Sequence, residues 1–229
     1  MSSRLVAVTL LALLPVLAQC SRAAPPHAAA PTTSPPSSSA AAGPTTAAVE
    51  PVTATELGAS WHPGCPVEPT QLRRIRLGYK GFDGQTHQGE LVVHEDLVAD
   101  VTEIFTLLYR LGYPIERMQT VDHYPGADDE LSMEDDNTSA FNCRTIPGTD
   151  RWAQHAYGRA IDLNPRRNPC RYANGTFEPH NAAPYLDRSR PDPGILHTGD
   201  AAVRTFTDRG WRWGGDWTTP VDYQHFERP

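Results

Sequence analysis

The chain has 229 residues, with 27 acidic against 20 basic side chains and a formal net charge of −7. Its carboxylates concentrate in Asp128, Asp129, Glu130, Glu134, Asp135 and Asp136. That balance argues against nucleic acid as a partner, and the run itself reads as a solvated loop. Every basic residue except Lys80 is arginine, a bias that points to a high-GC bacterium.

In chain order, residues 1–23 read as a secretory signal. Arg4 precedes an apolar stretch from Leu5 to Gln19 that is too short and too proline-broken for a comfortable membrane span. Leu17-Ala18-Gln19-Cys20 is similar to a lipoprotein lipobox, although Gln19 departs from the small residue expected there. The expected location is therefore secreted or cell-envelope, with a membrane contact only through a lipid anchor at Cys20. Residues 24–56 are dominated by Ala, Pro, Ser and Thr without apolar periodicity and are expected to form a disordered linker.

A folded domain is expected over residues 57–229. Alternation at Ile75, Leu77 and Tyr79, a turn at Gly81–Gly84, and alternation at Leu91 and Val93 predict two antiparallel strands. Asp96 is placed to cap a helix whose apolar positions Leu97, Val101, Ile104, Phe105, Leu108 and Leu111 form one stripe before Gly112 and Pro114 end it. A short strand within Ile115–Val121, a strand around Ala160–Asn164 and a second helix from Asp200 to Arg209 follow, with a proline-rich irregular connection over residues 165–195. The order lacks a regular strand-helix alternation, which favours an α+β domain on an antiparallel sheet with a few flanking helices. Neither a glycine-rich phosphate loop nor a Gly-x-Ser-x-Gly elbow is present.

Two segments carry the chemistry. His155 and Asp162 flank Gly158, and Asp222 and His225 lie near the end of the chain. Two imidazoles and one carboxylate suit a zinc ion that keeps a fourth position open, and a spare acid suits a hydrolytic centre. Gly158 lets the chain turn and bring His155 beside a strand that projects Asp162 opposite Ile161 and Leu163. Asp222 and His225, three apart, would fall on opposite faces of a regular strand, so a bend is expected, with Asp222 in a turn after Pro220 and His225 on a short strand. Cys65, Cys143 and Cys170 predict one disulfide and one leftover thiol, with the pairing open. His94, His123, His180 and His197 read as surface or structural, and Trp211, Trp213 and Trp217 as either core or cleft.

Trp152-Ala-Gln-His155-Ala-Tyr-Gly158-Arg-Ala160-Ile-Asp162-Leu-Asn-Pro165, Gly210-Trp-Arg-Trp-Gly-Gly-Asp-Trp217 and Asp222-Tyr-Gln-His225-Phe-Glu227 together resemble the M15 zinc peptidases. That group holds D-alanyl-D-alanine carboxypeptidases and L-alanyl-D-glutamate endopeptidases. Phe141-Asn-Cys-Arg144 is similar to the arginine-bearing segment that precedes the first ligand there, so the resemblance spans about residues 60–229. It implies a single domain of the DD-peptidase/hedgehog-like kind and one Zn2+ held by His155, Asp162 and His225. It further implies Asp222 as general base and acid, Arg144 facing the substrate, and a peptidoglycan stem peptide as that substrate. For Arg144 a salt bridge to the acidic loop is the alternative. The chain has Ala153 where the family usually has Ser. A monomer is expected. Carboxypeptidase action is favoured, with endopeptidase action or a non-catalytic zinc-containing wall-binding module as alternatives.

Overall fold

The computed structural model describes residues 48–229; the expected signal, the Cys20 anchor and most of the expected linker lie outside the described residues. The elements are β1 (Ala48–Pro51), α1 (Ala54–Leu57), β2 (Leu72–Lys80), β3 (Thr86–His94), α2 (Val98–Leu111), β4 (Arg117–Met118), α3 (Asp129–Glu134), β5 (Asn137–Thr138), β6 (Ala160–Asp162), β7 (Cys170–Arg171), β8 (Phe177–Glu178), α4 (Ala201–Thr207), β9 (Arg212–Trp213), β10 (Val221–Asp222) and β11 (His225–Glu227). They assemble as an α+β fold of small antiparallel sheets, ordered β1-β2-β3, β10-β7-β8 and β6-β11-β9, plus a short parallel β4-β5 pair.

The long β2–β3 hairpin follows from its alternation. Ile75, Leu77, Tyr79, Leu91 and Val93 are buried on one face with the α2 stripe Val101, Ile104, Phe105 and Leu108. Leu72 and Val92, of opposite parity, join Leu57, Val67 and Phe141 on the other face. Two details of α2 differ from expectation. Its N-terminus is preceded by a tight turn at Glu95–Leu97, capped by the His94 ring accepting from the Asp96 N–H at 3.3 Å, so Asp96 is not the cap. Leu111 is half exposed at 50 %, because the chain turns off at Gly112, which takes the left-handed conformation at φ +68°.

The expected linker boundary at residue 56 is also corrected. Residues 48–56 form β1, which pairs with β2 from Ala48↔Arg76 to Pro51↔Arg73, and most of α1, capped reciprocally by Thr53 and Glu56. Val52 and Leu57 are buried, but single apolar residues spaced through Ala, Pro and Thr leave no period to read. The second helix is shorter than expected, Ala201–Thr207.

Beneath α2, the β6-β11-β9 sheet and α4 share its core through Ile161, Leu163, Phe206 and Phe226. The Phe206 and Phe226 rings stack at 3.9 Å, with Trp211 and Trp213 against them, so those two tryptophans are core. A disulfide joins Cys65 to Cys143 across 78 residues, and Cys170 remains a buried free thiol. Because Cys143 precedes Arg144, the bridge ties the arginine's segment to the Trp61–Val67 region. Replacing both Cys65 and Cys143 with serine is expected to lower unfolding free energy by about 2–5 kcal/mol, read by denaturant titration of the oxidised parent and the variant.

Candidate metal centre

Each of the three expected ligands is held by a different backbone device. Asp162 lies on β6, whose backbone exchanges hydrogen bonds with Ser139 at 2.9 and 3.1 Å. His225, on β11, is its direct cross-strand partner, so both side chains leave the same face. His155 sits in a single tight turn, Gln154–Tyr157, closed by Gly158 at φ +65°. The Gly158 carbonyl accepts from the His94 N–H at 2.9 Å, and a Cβ at 158 would come within 2.6 Å of that nitrogen. Glycine is therefore required by conformation and by space.

The donor atoms converge. His155 Nε2 lies 3.1 Å from Asp162 Oδ2 and 3.2 Å from His225 Nδ1, and His225 Nδ1 lies 3.0 Å from Asp162 Oδ1. The opposite ring nitrogens are occupied elsewhere. His155 Nδ1 donates to the Ala140 carbonyl at 2.5 Å, and His225 Nε2 to Glu227 Oε2 at 3.4 Å. The two imidazole lone pairs and the Asp162 carboxylate then point at one spot, and all three residues are buried. Donors around a tetrahedral ion with bonds of about 2.0–2.1 Å are about 3.3 Å apart, close to these separations. The electrostatics agree. Although burial favours its neutral form, Asp162 is held well below the carboxylate range by the two imidazoles, and His225 is pushed upward against its burial by Asp162 and Glu227. The centre calls for positive charge, and a metal ion fits it.

Asp222 does not lie in a turn as expected. It ends β10, paired with Cys170 of β7, while His225 belongs to another sheet; Tyr223 and Gln224 make the bend between them. The bend is held by Leu163 N–H donating to the Gln224 carbonyl at 3.0 Å. Gly214 allows the close approach, since a Cβ there would meet the Asp222 carbonyl at 2.6 Å. Oδ1 of Asp222 is buried without a hydrogen-bond partner, and burial, opposed by His225 and reinforced by Asp162, pushes the carboxyl up to about 6. A carboxyl of that acidity can exchange protons near neutral pH.

A cavity of ≈ 510 Å³ is lined by His155, Asp162, Asp222, His225 and Glu227 together with Arg144, Ala153, Tyr172, Glu178 and Trp217. For Arg144 the structure shows the salt bridge to the acidic run and a place in the cavity wall. It pairs with Asp129 of the acidic run at 2.7 Å, yet its side chain is still 29 % exposed and lines the cavity. Burial disfavours its charge, but Asp129 and Asp162 more than offset this. Trp217 stands 5.3 Å from the His225 ring and is the tryptophan that belongs to the cleft. Ala153 offers no hydroxyl, and the orienting bond to His155 comes from the Ala140 carbonyl instead. Glu227 was quoted in the sequence pattern without a role; its signal is its spacing, two residues after His225 on one strand and hence on the same face. Two other donor groups occur among the described residues. The sulfurs of His62/Cys65/Cys143 are used by the disulfide, and Glu130/Glu134/His180 is an outlying cluster whose histidine is exposed.

The model of a family described as D-alanyl-D-alanine carboxypeptidase matches residues 147–228. Over these residues the chain is similar to the M15 peptidases. No curated protein and no solved structure matches it. The matched segment contains His155, Asp162, Asp222 and His225, but begins three residues after Arg144, whose place at the site rests on the cavity geometry. Replacing Glu227 with Gln is expected to weaken metal binding by about 10- to 100-fold, measured by competition with a chromogenic chelator. Gly158→Ala is expected to cost about 1–3 kcal/mol in stability and to lower metal occupancy, read by thermal unfolding and metal analysis.

Proposed function

We propose that this protein is an exported zinc enzyme that trims peptidoglycan stem peptides, acting as a D-alanyl-D-alanine carboxypeptidase. The observation that carries the reading is the buried meeting of two imidazole lone pairs and one carboxylate beside a second acid, Asp222, whose Oδ1 has no other partner. A structural zinc site would close its fourth position with another ligand; here that side faces a cavity. His155, Asp162 and His225 would hold the ion. When bound, zinc supplies Lewis acidity that polarises a peptide carbonyl and makes water a nucleophile near neutral pH.

Asp222 takes the proton of the attacking water and returns it to the leaving amine. Arg144, steadied by Asp129, holds the substrate's terminal carboxylate or the developing oxyanion. The substrate follows from the family description and from this arginine. Export is supported by the composition of residues 1–23, with Cys20 as the point of lipid attachment where one occurs.

Incubation of the zinc-loaded full-length protein with a defined stem pentapeptide is expected to release one D-alanine, identified by mass. Cleavage between L-Ala and D-Glu would select the endopeptidase, and no product would select the binding module. Asp222→Asn is expected to keep zinc and lose about 10²- to 10⁴-fold in kcat; full activity in that variant would refute the assignment of the base.

A further inference from the structure

The charges lining the cavity can be paired off almost completely. Its carboxylates are Asp129, Asp162, Glu178, Asp222 and Glu227. Asp129 is held by Arg144, Asp162 by His155 and His225, and Glu227 by His225 and Arg212. Asp222 stands beside the ligand trio. Glu178 is left over: no ion pair joins it to a described residue, and His180, two residues on, turns its ring to Glu130 instead. The neighbour that orients Glu178 is neutral, the Tyr172 hydroxyl, which donates to Oε2 at 2.8 Å. Burial, reinforced by Cys170 and Glu178, raises the phenol's pKa, so it stays a donor, and the other carboxylate oxygen remains open.

Strand register places this group relative to the centre. Glu178 is the cross-strand partner of Cys170, and Cys170 is the partner of Asp222, so the three form one row across β8, β7 and β10. Directly paired residues share a face, and all three line the cavity. Two strand spacings put Glu178 roughly 10 Å from Asp222, the reach of a side chain on a residue next to the scissile bond. Arg144 and Arg151 also line the cavity. The cleft thus carries two arginines and, besides Asp222 at the ligand trio, one carboxylate without an ion pair, Glu178.

We propose that Glu178 is a specificity-determining residue that receives a protonated amine of the substrate, so that the preferred substrates are peptides carrying an ammonium group within about a residue of the cleaved bond. The inference rests on the peptidase reading above. Either a diamino side chain or a free α-amine could supply the ammonium.

The test uses peptides ending in D-alanyl-D-alanine that differ only in whether a lysine side-chain amine, or the α-amine, is free or acetylated. Turnover is measured with the zinc-loaded full-length protein and binding with its Asp222→Asn variant. The expected result is a preference of about tenfold for one free amine over its acetylated twin, the scale of one charge-assisted hydrogen bond. The arm that shows it identifies which amine is read. Glu178→Gln should reduce the preference to less than twofold at unchanged zinc content, and Glu178→Asp should retain part of it. Equal treatment of both twins in both arms, or a preference that survives in Glu178→Gln, overturns the proposal. Discrimination in binding without cleavage of any peptide would leave Glu178 as the selector and refute the catalytic reading. Absence of both binding and cleavage refutes both.

Discussion

Three buried groups that all present lone pairs to one point form the constraint around which this domain is organised. With the outer ring nitrogens of both histidines turned to Ala140 and Glu227, the inner nitrogens of His155 and His225 meet the Asp162 carboxylate at one point. In an environment with little water, such a set demands a positive charge at its centre. Strong opposed perturbations of Asp162 and His225 are the electrostatic expression of that demand. Metal binding would therefore be coupled to the stability of the surrounding strands, since the same β6–β11 pairing that places two of the ligands also contributes Ile161 and Phe226 to the core.

The remaining elements position this centre. The β2–β3 hairpin and α2 make the rigid wall; the His94 N–H donates to the Gly158 carbonyl, which seats the turn bearing His155, and the Val92 carbonyl accepts from Phe141 in the segment before Arg144. The disulfide anchors the segment just before Arg144, and the acidic run, far from being a featureless solvated loop, contains α3 and supplies Asp129 to that arginine. Charge that looked like surface decoration in the sequence is in part structural. Asp129 holds the guanidinium on one side while the cavity is open to it on the other.

The β10-β7-β8 sheet has a different task. It carries no core of its own but lays Asp222, Cys170 and Glu178 in a row along the cleft. The proposed proton transfer and substrate discrimination would thereby share one small platform, separated from the candidate ligand set by the bend at Tyr223 and Gln224. That separation lets the acid stay near the metal centre without becoming a ligand, because its strand belongs to a different sheet from the strand of His225.

Much of this was legible in the amino-acid order. The β2–β3 alternation, the α2 stripe, the candidate donors His155, Asp162 and His225 and the need for a bend before His225 all follow from local periodicity and donor chemistry, which depend only on neighbours a few positions apart. Tertiary structure alone decided the partners. It selected Cys65 for Cys143, moved Asp222 from a turn onto a strand, drew residues 48–51 into the sheet and gave His155 the Ala140 carbonyl as its orienting partner. It also revealed Glu227 as the support of His225 and Glu178 as a cleft carboxylate without an ion pair. Hydrogen bonds and ion pairs between segments depend on which surfaces meet in space, and a linear pattern holds no signal for such meetings beyond the face on which each residue lies.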